Sequence, residues 1–380
     1  MKKIDLSKKK KIAFVCSGGV VKAAAFHMGV AAAIERSGFR FVGGGYNNQI
    51  EKSDSKNIDT YVGSSAGSIV ATFLAQGGSI ELLESMFLNP EKNSDSPALK
   101  YWEMLFPKFN NTVEFFSTFV KLLKVKNLQS PFDTEGIVRY LREHVIKEDD
   151  FSRLSCDLFV LASELNQSTK VVFSKYNSIS KHGDICYASG VPVSEACAAS
   201  MSLPPLYHPR SIEVEGRMKD YYDGEIIEPL SSHVAKDVGA DLIICSYTHQ
   251  PYVSTSIRES LAKKGLHLIT LQSLYQAIEQ KIRAGRLRHK QNKQVIDELK
   301  SFLFENNLKS DKADKMLEKI SSILSYNEEV DYIYIHPRPS DKEMFLSPHF
   351  SLNSKSIESI YKKGFVASFS TLRNNCEQVA

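Results

Sequence analysis

The sequence predicts an α/β fold with a mainly parallel central sheet, on three observations. Short apolar runs ending in small residues recur along the chain, helical patterns fill the spaces between them, and two runs lead directly into glycine-rich turns. Taken in order, Ile12–Cys16, Ile58–Val62, Leu158–Leu161, Lys170–Phe173, Leu242–Ser246 and Val330–Ile335 are the expected strands. Ala23–Glu35, Gly67–Ala75, Thr134–Val145 and Ser231–Val238 are expected helices. Strands alternating with helices form βαβ units, whose crossovers leave the strands parallel. In such sheets ligands bind beyond the carboxyl ends of the strands, where loops enter helices. Both turns sit there.

Composition sets the outer bounds. With 380 residues, 42% of them hydrophobic and 24% charged, the chain has a globular character and can bury a sizeable core. A net charge of +4 makes no electrostatic case for nucleic acid, although local basic patches suit an anionic membrane surface. The six cysteines form no C-x-x-C pair, and several lie in apolar runs, so they read as reduced core residues in a reducing compartment. The apolar stretch Ile12–Cys16 after the basic N-terminus is too short for a signal-peptide core. No run reaches the roughly 18 apolar residues of a membrane-spanning helix. A cytoplasmic protein, or one at the periphery of a membrane, is expected, and export by another kind of signal stays open.

Two stretches break the alternation. Ala98–Val125 is dense in aromatic residues, and its Phe116, Phe119, Val120 and Leu123 follow the spacing of an amphipathic helix. Such a stripe is ordinarily core; the extra phenylalanines and neighbouring lysines also suit a lid or a lipid-facing surface. The second stretch, about 256–325, is helical and charged, with basic residues Lys281, Arg283, Arg286, Arg288 and Lys290 that read first as a solvated face. The expected organisation is one domain over 1–380. It carries a basic tail at 1–10, a helical insertion or lid near 80–150 and a helical elaboration near 256–325.

Three motifs carry chemistry. Gly63-Ser64-Ser65-Ala66-Gly67 is a G-x-S-x-G following an apolar run, the pattern of a nucleophile elbow. Only Ser65 has glycine both two before and two after it, and the helix that follows would direct its positive end at the site. Ser17-Gly18-Gly19-Val20-Val21-Lys22 follows the first strand, and successive glycines let backbone N–H groups converge on an anion, as an oxyanion hole requires. The run matches neither G-x-x-x-x-G-K-[ST] nor G-x-G-x-x-G. Tyr221-Tyr222-Asp223-Gly224 is by itself only a turn signal, but it follows Ala199-Ser200-Met201-Ser202-Leu203-Pro204.

Together, in this order, these residues resemble the patatin-like phospholipase family. The resemblance implies a three-layer α/β/α fold in which Gly18, Gly19 and Val20 form the oxyanion loop. It makes Lys22 that loop's basic residue, able to contact a phosphate or other anion. Ser65 would be the nucleophile, held in an elbow with Gly63 and Gly67, and Asp223 the base. Ser163-Glu164 and Gly239-Ala240-Asp241 match weaker family features. The resemblance covers about residues 10–250 well, and the Val330–Pro337 strand with the final helix more loosely. Two positions depart from the pattern. Val20 stands where the family has a third glycine, and a β-branched residue resists positive φ. Glu225 stands where a small residue follows Asp-Gly, adding a carboxylate that raises the pKa of its neighbour.

The implied activity is hydrolysis of lipid acyl esters, phospholipase A or lysophospholipase in type, by a Ser65–Asp223 dyad without metal or cofactor. The implied partners are a phospholipid or lysophospholipid substrate, a peripheral membrane surface and an unidentified activator. Two alternatives stand beside it. One is a Ser-Asp-His triad, whose histidine would follow the acid as His233, His249 and His267 all do, with His249 best placed after a strand. The other is a lipid- or partner-binding module with weak or activator-gated catalysis, to which Val20 and Glu225 point.

Overall fold

The computed structural model describes residues 3–45, 56–88, 130, 132–167, 169–177, 185–254, 260–306, 311–347, 349, 353–377 and 379. The aromatic stretch Ala98–Val125, with Phe116 and Phe119, lies outside these residues, as does most of the expected lid. Two compact units emerge, Met1–Val253 with Tyr332–Ala380, and Ser254–Asp331.

The first unit is built on a sheet whose strands run in the order β10-β9-β1-β3-β4-β5-β6. These strands are β1 (Ile12–Cys16), β3 (Asn57–Ser64), β4 (Asp157–Glu164), β5 (Lys170–Phe173), β6 (Ile185–Ala188), β9 (Leu242–Ser246) and β10 (Asp331–Ile335). A short β2 (Arg40–Phe41) also pairs with β3. At the centre β1 is parallel to β3 and to β9, and β3 is parallel to β4. Every residue of β1, β4, β5 and β9 is buried. That is the mark of a parallel sheet covered on both faces, and it is why these strands read as continuous apolar runs.

Helices cover those faces. They include α1 (Val20–Arg36), α2 (Ala66–Ala75), α3 (Ile80–Leu88), α4 (Glu135–His144), α5 (Val193–Ser200) and α6 (Ser232–Asp237). The main core gathers Ile12, Phe14 and Cys16 of β1 with Leu158 and Val160 of β4 and the apolar sides of α1 and α2. The C-terminal helix α10 (Ser354–Asn375), which follows α7 (Leu266–Glu305), α8 (Asp311–Ile323) and α9 (Lys342–Leu346) in the chain, packs along α1. The two helices cross through glycines: a Cβ on Gly29 would lie 2.0 Å from the Tyr361 carbonyl oxygen, and one on Gly364 would lie 2.2 Å from that of Phe26. The result is a three-layer α/β/α arrangement around a mostly parallel sheet.

The sheet is not wholly parallel. β5 runs antiparallel to β4, and a hairpin of β7 (Arg210–Val214) and β8 (Arg217–Asp223) adds antiparallel to the end of β4. Its two-residue turn, Glu215-Gly216, has φ of 52° and 73°, as a tight hairpin with strand-matched twist requires. This hairpin delivers Asp223, paired opposite Ala162, to the carboxyl edge of the parallel strands. Residues 3–10, expected as a basic tail, are anchored: Leu6 is fully buried and the Lys10 and Lys11 N–H groups donate to the Asp241 carboxylate.

The second unit consists largely of α7 (Leu266–Glu305) and α8 (Asp311–Ile323). At 40 residues α7 spans about 60 Å. Asn292 Nδ2 donates to the Leu324 carbonyl at 2.9 Å, and the His289 and Tyr326 rings lie 5.3 Å apart. Lys281, Arg283, Arg286, Arg288 and Lys290 are all exposed along α7. Among the described residues no helix is long and apolar enough to cross a membrane.

Candidate active site

Two strand-to-helix turns, on the neighbouring strands β1 and β3, form the floor of the site. In the second, β3 ends at Ser64, Ser65 turns sharply at φ 50° and ψ −129°, and α2 begins at Ala66. A serine in this left-handed region is strained, and the packing around it explains why it stays there. The Ser65 N–H donates to Ser200 Oγ at 2.7 Å, and the Ser65 carbonyl accepts from the Ser68 N–H and hydroxyl. A Cβ on Gly67 would lie 2.4 Å from the carbonyl oxygens of both Cys16 and Ser17, so the start of α2 reaches the end of β1 only because Gly67 has none. Here the G-x-S-x-G spacing has a direct cause.

The first turn carries Gly18, Gly19 and Val20 between β1 and α1. Gly19 adopts φ 128°, and Val20 is held at φ 59° despite its branched Cβ. Gly18 lies against the elbow: a Cβ there would sit 2.8 Å from Ser65 Cβ and 2.6 Å from Glu225 Cγ. Behind the loop, His27 spans two elements. Its Nε2 donates to the Ser17 carbonyl at 2.8 Å, since a carbonyl only accepts, so Nδ1 accepts from Ser246 Oγ at 2.6 Å. Burial pushes His27 down to about 4, which keeps it neutral and able to make both bonds.

Asp223, at the end of β8, completes the arrangement. The Ser65 hydroxyl lies close enough to its carboxylate to favour the charged form. The carboxylate also accepts the Glu225 N–H at 2.9 Å, while the Asp223 N–H donates to the Ser202 carbonyl at 3.1 Å. Ser200 and Ser202 thus tether the elbow and the Asp223 turn to one segment, which is the role of the Ala-Ser run before Pro204. Asp223 is only 2% exposed. Burial pushes its carboxyl up to about 6, against the opposing pull of the Ser65 hydroxyl and the Glu225 N–H.

A family model for patatin-like phospholipase matches residues 14–235, more than half of the 380. The chain belongs to the patatin-like phospholipase family. The matched span runs from β1 through α6 and contains both turns and Asp223; α7, α8, β10 and α10 lie beyond it. Among solved structures, the crystal structure of VipD from Legionella pneumophila is similar, with 14% identity, a TM-score of 0.40 and coverage of 97% of this chain and 67% of that one. At that distance no residue is carried across.

Around this patatin-like core the structure locates the remaining sequence candidates. Lys22 is 1% exposed, its side chain turned into the protein beside the Asp341 and Lys363 charges. Burial lowers its ammonium to about 7, with Asp341 opposing and Lys363 assisting. His249 is buried, with Nδ1 3.9 Å from Glu225 Oε2, and burial together with Lys22 and His27 holds it down at about 3. His233 is engaged elsewhere, its Nδ1 3.0 Å from Glu228 Oε1, a carboxylate that also holds buried Lys170 at 3.0 Å. The side chain of His267 lies outside the described residues. Ser163 Oγ donates to the Asp223 carbonyl at 3.3 Å, which explains the Ser163-Glu164 strand end. Sequence reasoning missed the contributions of His27, Ser200, Ser202 and Ser246. Their signal is weak, because small polar residues in apolar helices and strand ends become informative only when their partners are known.

Proposed function

We propose that this chain is a lipid acyl hydrolase of the phospholipase A or lysophospholipase type that works through a Ser65–Asp223 dyad. The observation that carries the reading is the strained elbow serine, lying beside a buried carboxylate and against a glycine loop. Family membership supports a lipid acyl substrate. As Ser65 Oγ attacks the ester carbonyl carbon, its proton passes to Asp223 and the carbonyl π electrons move onto oxygen. Backbone N–H groups of the Gly18–Val20 loop hold that oxyanion, each donor contributing roughly 2.7–4 kcal/mol in comparable hydrolases. Asp223 returns the proton to the departing alkoxide, and the acyl-serine is then hydrolysed by water. A base near pKa 6 is better matched to neutral pH than an ordinary aspartate.

We assign the chemistry to the unit holding the sheet, and take α7 and α8 as an elaboration whose exposed basic residues suit contact with an anionic membrane surface. A second reading, a lipid- or partner-binding protein whose catalysis is gated by an activator, draws on the strained Val20 and on Glu225 packed against Gly18. Fatty-acid release from mixed phospholipid vesicles separates the two. The dyad predicts release by the intact protein that disappears in Ser65→Ala and Asp223→Asn, both folded. Equal release from all three proteins would sink it, and no release without an added partner would favour the gated reading.

A further inference from the structure

The sheet-bearing unit leaves most of its exposed apolar side chains on segments that flank the site. Among its described residues, Leu82, Leu165, Met218, Ile226, Val253 and Val366 are the large apolar side chains left exposed. Leu82 and Val366 lie on the helices α3 and α10. The others lie in the β7–β8 hairpin or in loops that leave β4, β8 and β9. Backbone pairing brings two of them together. Tyr221 stands opposite Glu164, the last residue of β4, so the hairpin continues past that strand by the four residues from Tyr221 back to Arg217, about 13 Å. The Leu165 N–H donates to the Asp220 carbonyl at 2.8 Å, which carries the pairing one residue beyond the strand. Side chains alternate across a strand, so Leu165 shares a face with Met218 and is its diagonal neighbour. The opposite face of the hairpin, with Ile212, Val214 and Tyr221, is buried in the core. Met218 is 67% exposed and Leu165 46%, while Ile226, at 45%, follows the Glu225 that packs against Gly18. Scattered apolar residues are ordinary on a protein surface, but a group of them at the rim of a site calls for a reason.

We propose that the β7–β8 hairpin and the turn after β4 form a membrane-docking surface, which inserts Met218 and Leu165, flanked by Ile226, into the boundary between the headgroups and acyl chains of a phospholipid bilayer. The inference rests on the acyl-hydrolase reading, because an enzyme that cuts membrane lipids must turn its catalytic edge to the bilayer. The projecting strand β8 is also the strand that ends in Asp223, so this surface is continuous with the site. Charge at the hairpin tip decides how it would hold. Exposed Arg217 and half-buried Lys219, whose Nζ lies 3.4 Å from Glu164, are offset along the hairpin by exposed Glu213 and Glu215. With these charges balanced, the tip gains by removing apolar area from water rather than by coulombic attraction. That sets it apart from the basic residues of α7, whose pull requires anionic lipid and is screened by salt.

The test measures co-sedimentation of the Ser65→Ala protein with zwitterionic phosphatidylcholine vesicles at high salt, where coulombic binding is screened. Adding Met218→Gln together with Leu165→Gln should weaken binding at least about 10-fold, since both side chains lose most of their gain on leaving water. Leu82→Gln with Val366→Gln, comparably exposed but on helices, should leave binding unchanged. With Ser65 intact, the hairpin pair should lower fatty-acid release from the same vesicles at least about 10-fold. Hydrolysis of a soluble nitrophenyl ester and the melting temperature should not move. Undiminished binding in the hairpin pair, an equal loss in the helix pair, or soluble-ester turnover falling in step with vesicle turnover would overturn the proposal. So would binding that requires phosphatidylserine and vanishes at high salt. Failure of the underlying reading looks different: the unmodified protein would neither turn over the soluble ester nor be labelled at Ser65 by a fluorophosphonate, whatever the vesicle-binding comparison gives.

Discussion

The two turns at the floor of the site solve neighbouring problems in different ways. Each ends a central parallel strand, starts a helix and places a residue other than glycine at positive φ, Val20 at 59° and Ser65 at 50°. At Ser65 the proposed chemistry needs the strain. The turn must lift a side chain out of the sheet edge, and the Ser200 hydrogen bond and the close approach of Gly67 to Cys16 and Ser17 hold it there. In the proposed mechanism, the Gly18–Val20 turn presents backbone N–H groups instead. No side chain is required at position 20, and a glycine would adopt the same φ without a clashing Cβ. The contrast separates strain that the proposed chemistry demands from strain that this sequence merely tolerates.

The largest effect should come from the side chain presented by the elbow. Ser65→Ala should lower ester turnover at least about 1,000-fold with little change in melting temperature, since it removes one oxygen from a packed turn. Retained turnover would mean that the elbow is structural and the comparison misplaced. Gly67→Ala attacks the packing that joins the two turns. Its Cβ would meet two backbone carbonyls at 2.4 Å, neither the end of a flexible side chain, so a loss of about 3 kcal/mol in chemical denaturation is expected. A neutral result would show that the turns are not mutually braced.

Asp223→Asn should remove activity and yet stabilise the fold at neutral pH. The native carboxyl titrates near 6 and the unfolded one near 3.8, so as pH rises through that window the folded chain keeps a proton that the unfolded chain has released. Stability contributed at this site falls over that window, and the cost stays in place above it, on the order of 3 kcal/mol at most. Urea unfolding of both proteins at pH 4 and pH 7.5 measures it, with the asparagine protein gaining only at the higher pH. In the intact protein, turnover should rise with pH through about 6 as Asp223 becomes able to accept a proton. The smallest effect is at Val20→Gly. Relief of strain, offset by the greater chain entropy of glycine, should raise stability by up to about 1 kcal/mol and leave turnover intact. A clear loss of stability would show that the Val20 side chain matters for packing after all.

Much of this architecture was legible in the chain itself. Ile12–Cys16, Lys170–Phe173 and Leu242–Ser246 appear as strands with the expected bounds, because strands buried on both faces must be apolar throughout. The helices at Ala23–Glu35 and Gly67–Ala75 extend by only a few residues at their starts, where glycine turns obscure the boundary. The hairpin β7–β8 was missed because its Glu215-Gly216 turn lacks the asparagine or aspartate that usually announces one. Within the candidate site, spacing singles out Ser65 and the Gly18–Val20 loop, and the structure places the two turns side by side. Asp223 could be found only from the company it keeps, since an Asp-Gly dipeptide is common in turns.

What the sequence by itself determined is therefore local: which segments are strand or helix, where the backbone must turn sharply, and which turns can expose a nucleophile or gather N–H groups. These follow from side-chain periodicity and steric rules that act over a few residues. Only the tertiary structure decided that an antiparallel hairpin brings Asp223 beside Ser65, that Ser200 and His27 brace the two turns, and that α10 crosses α1 through Gly29 and Gly364. It also decided that Glu225 lies against Gly18 rather than in solvent. Strand order and helix crossing bring together residues far apart in the chain, and burial then shifts their pKa values. Both depend on the packed core as a whole, which no local pattern encodes.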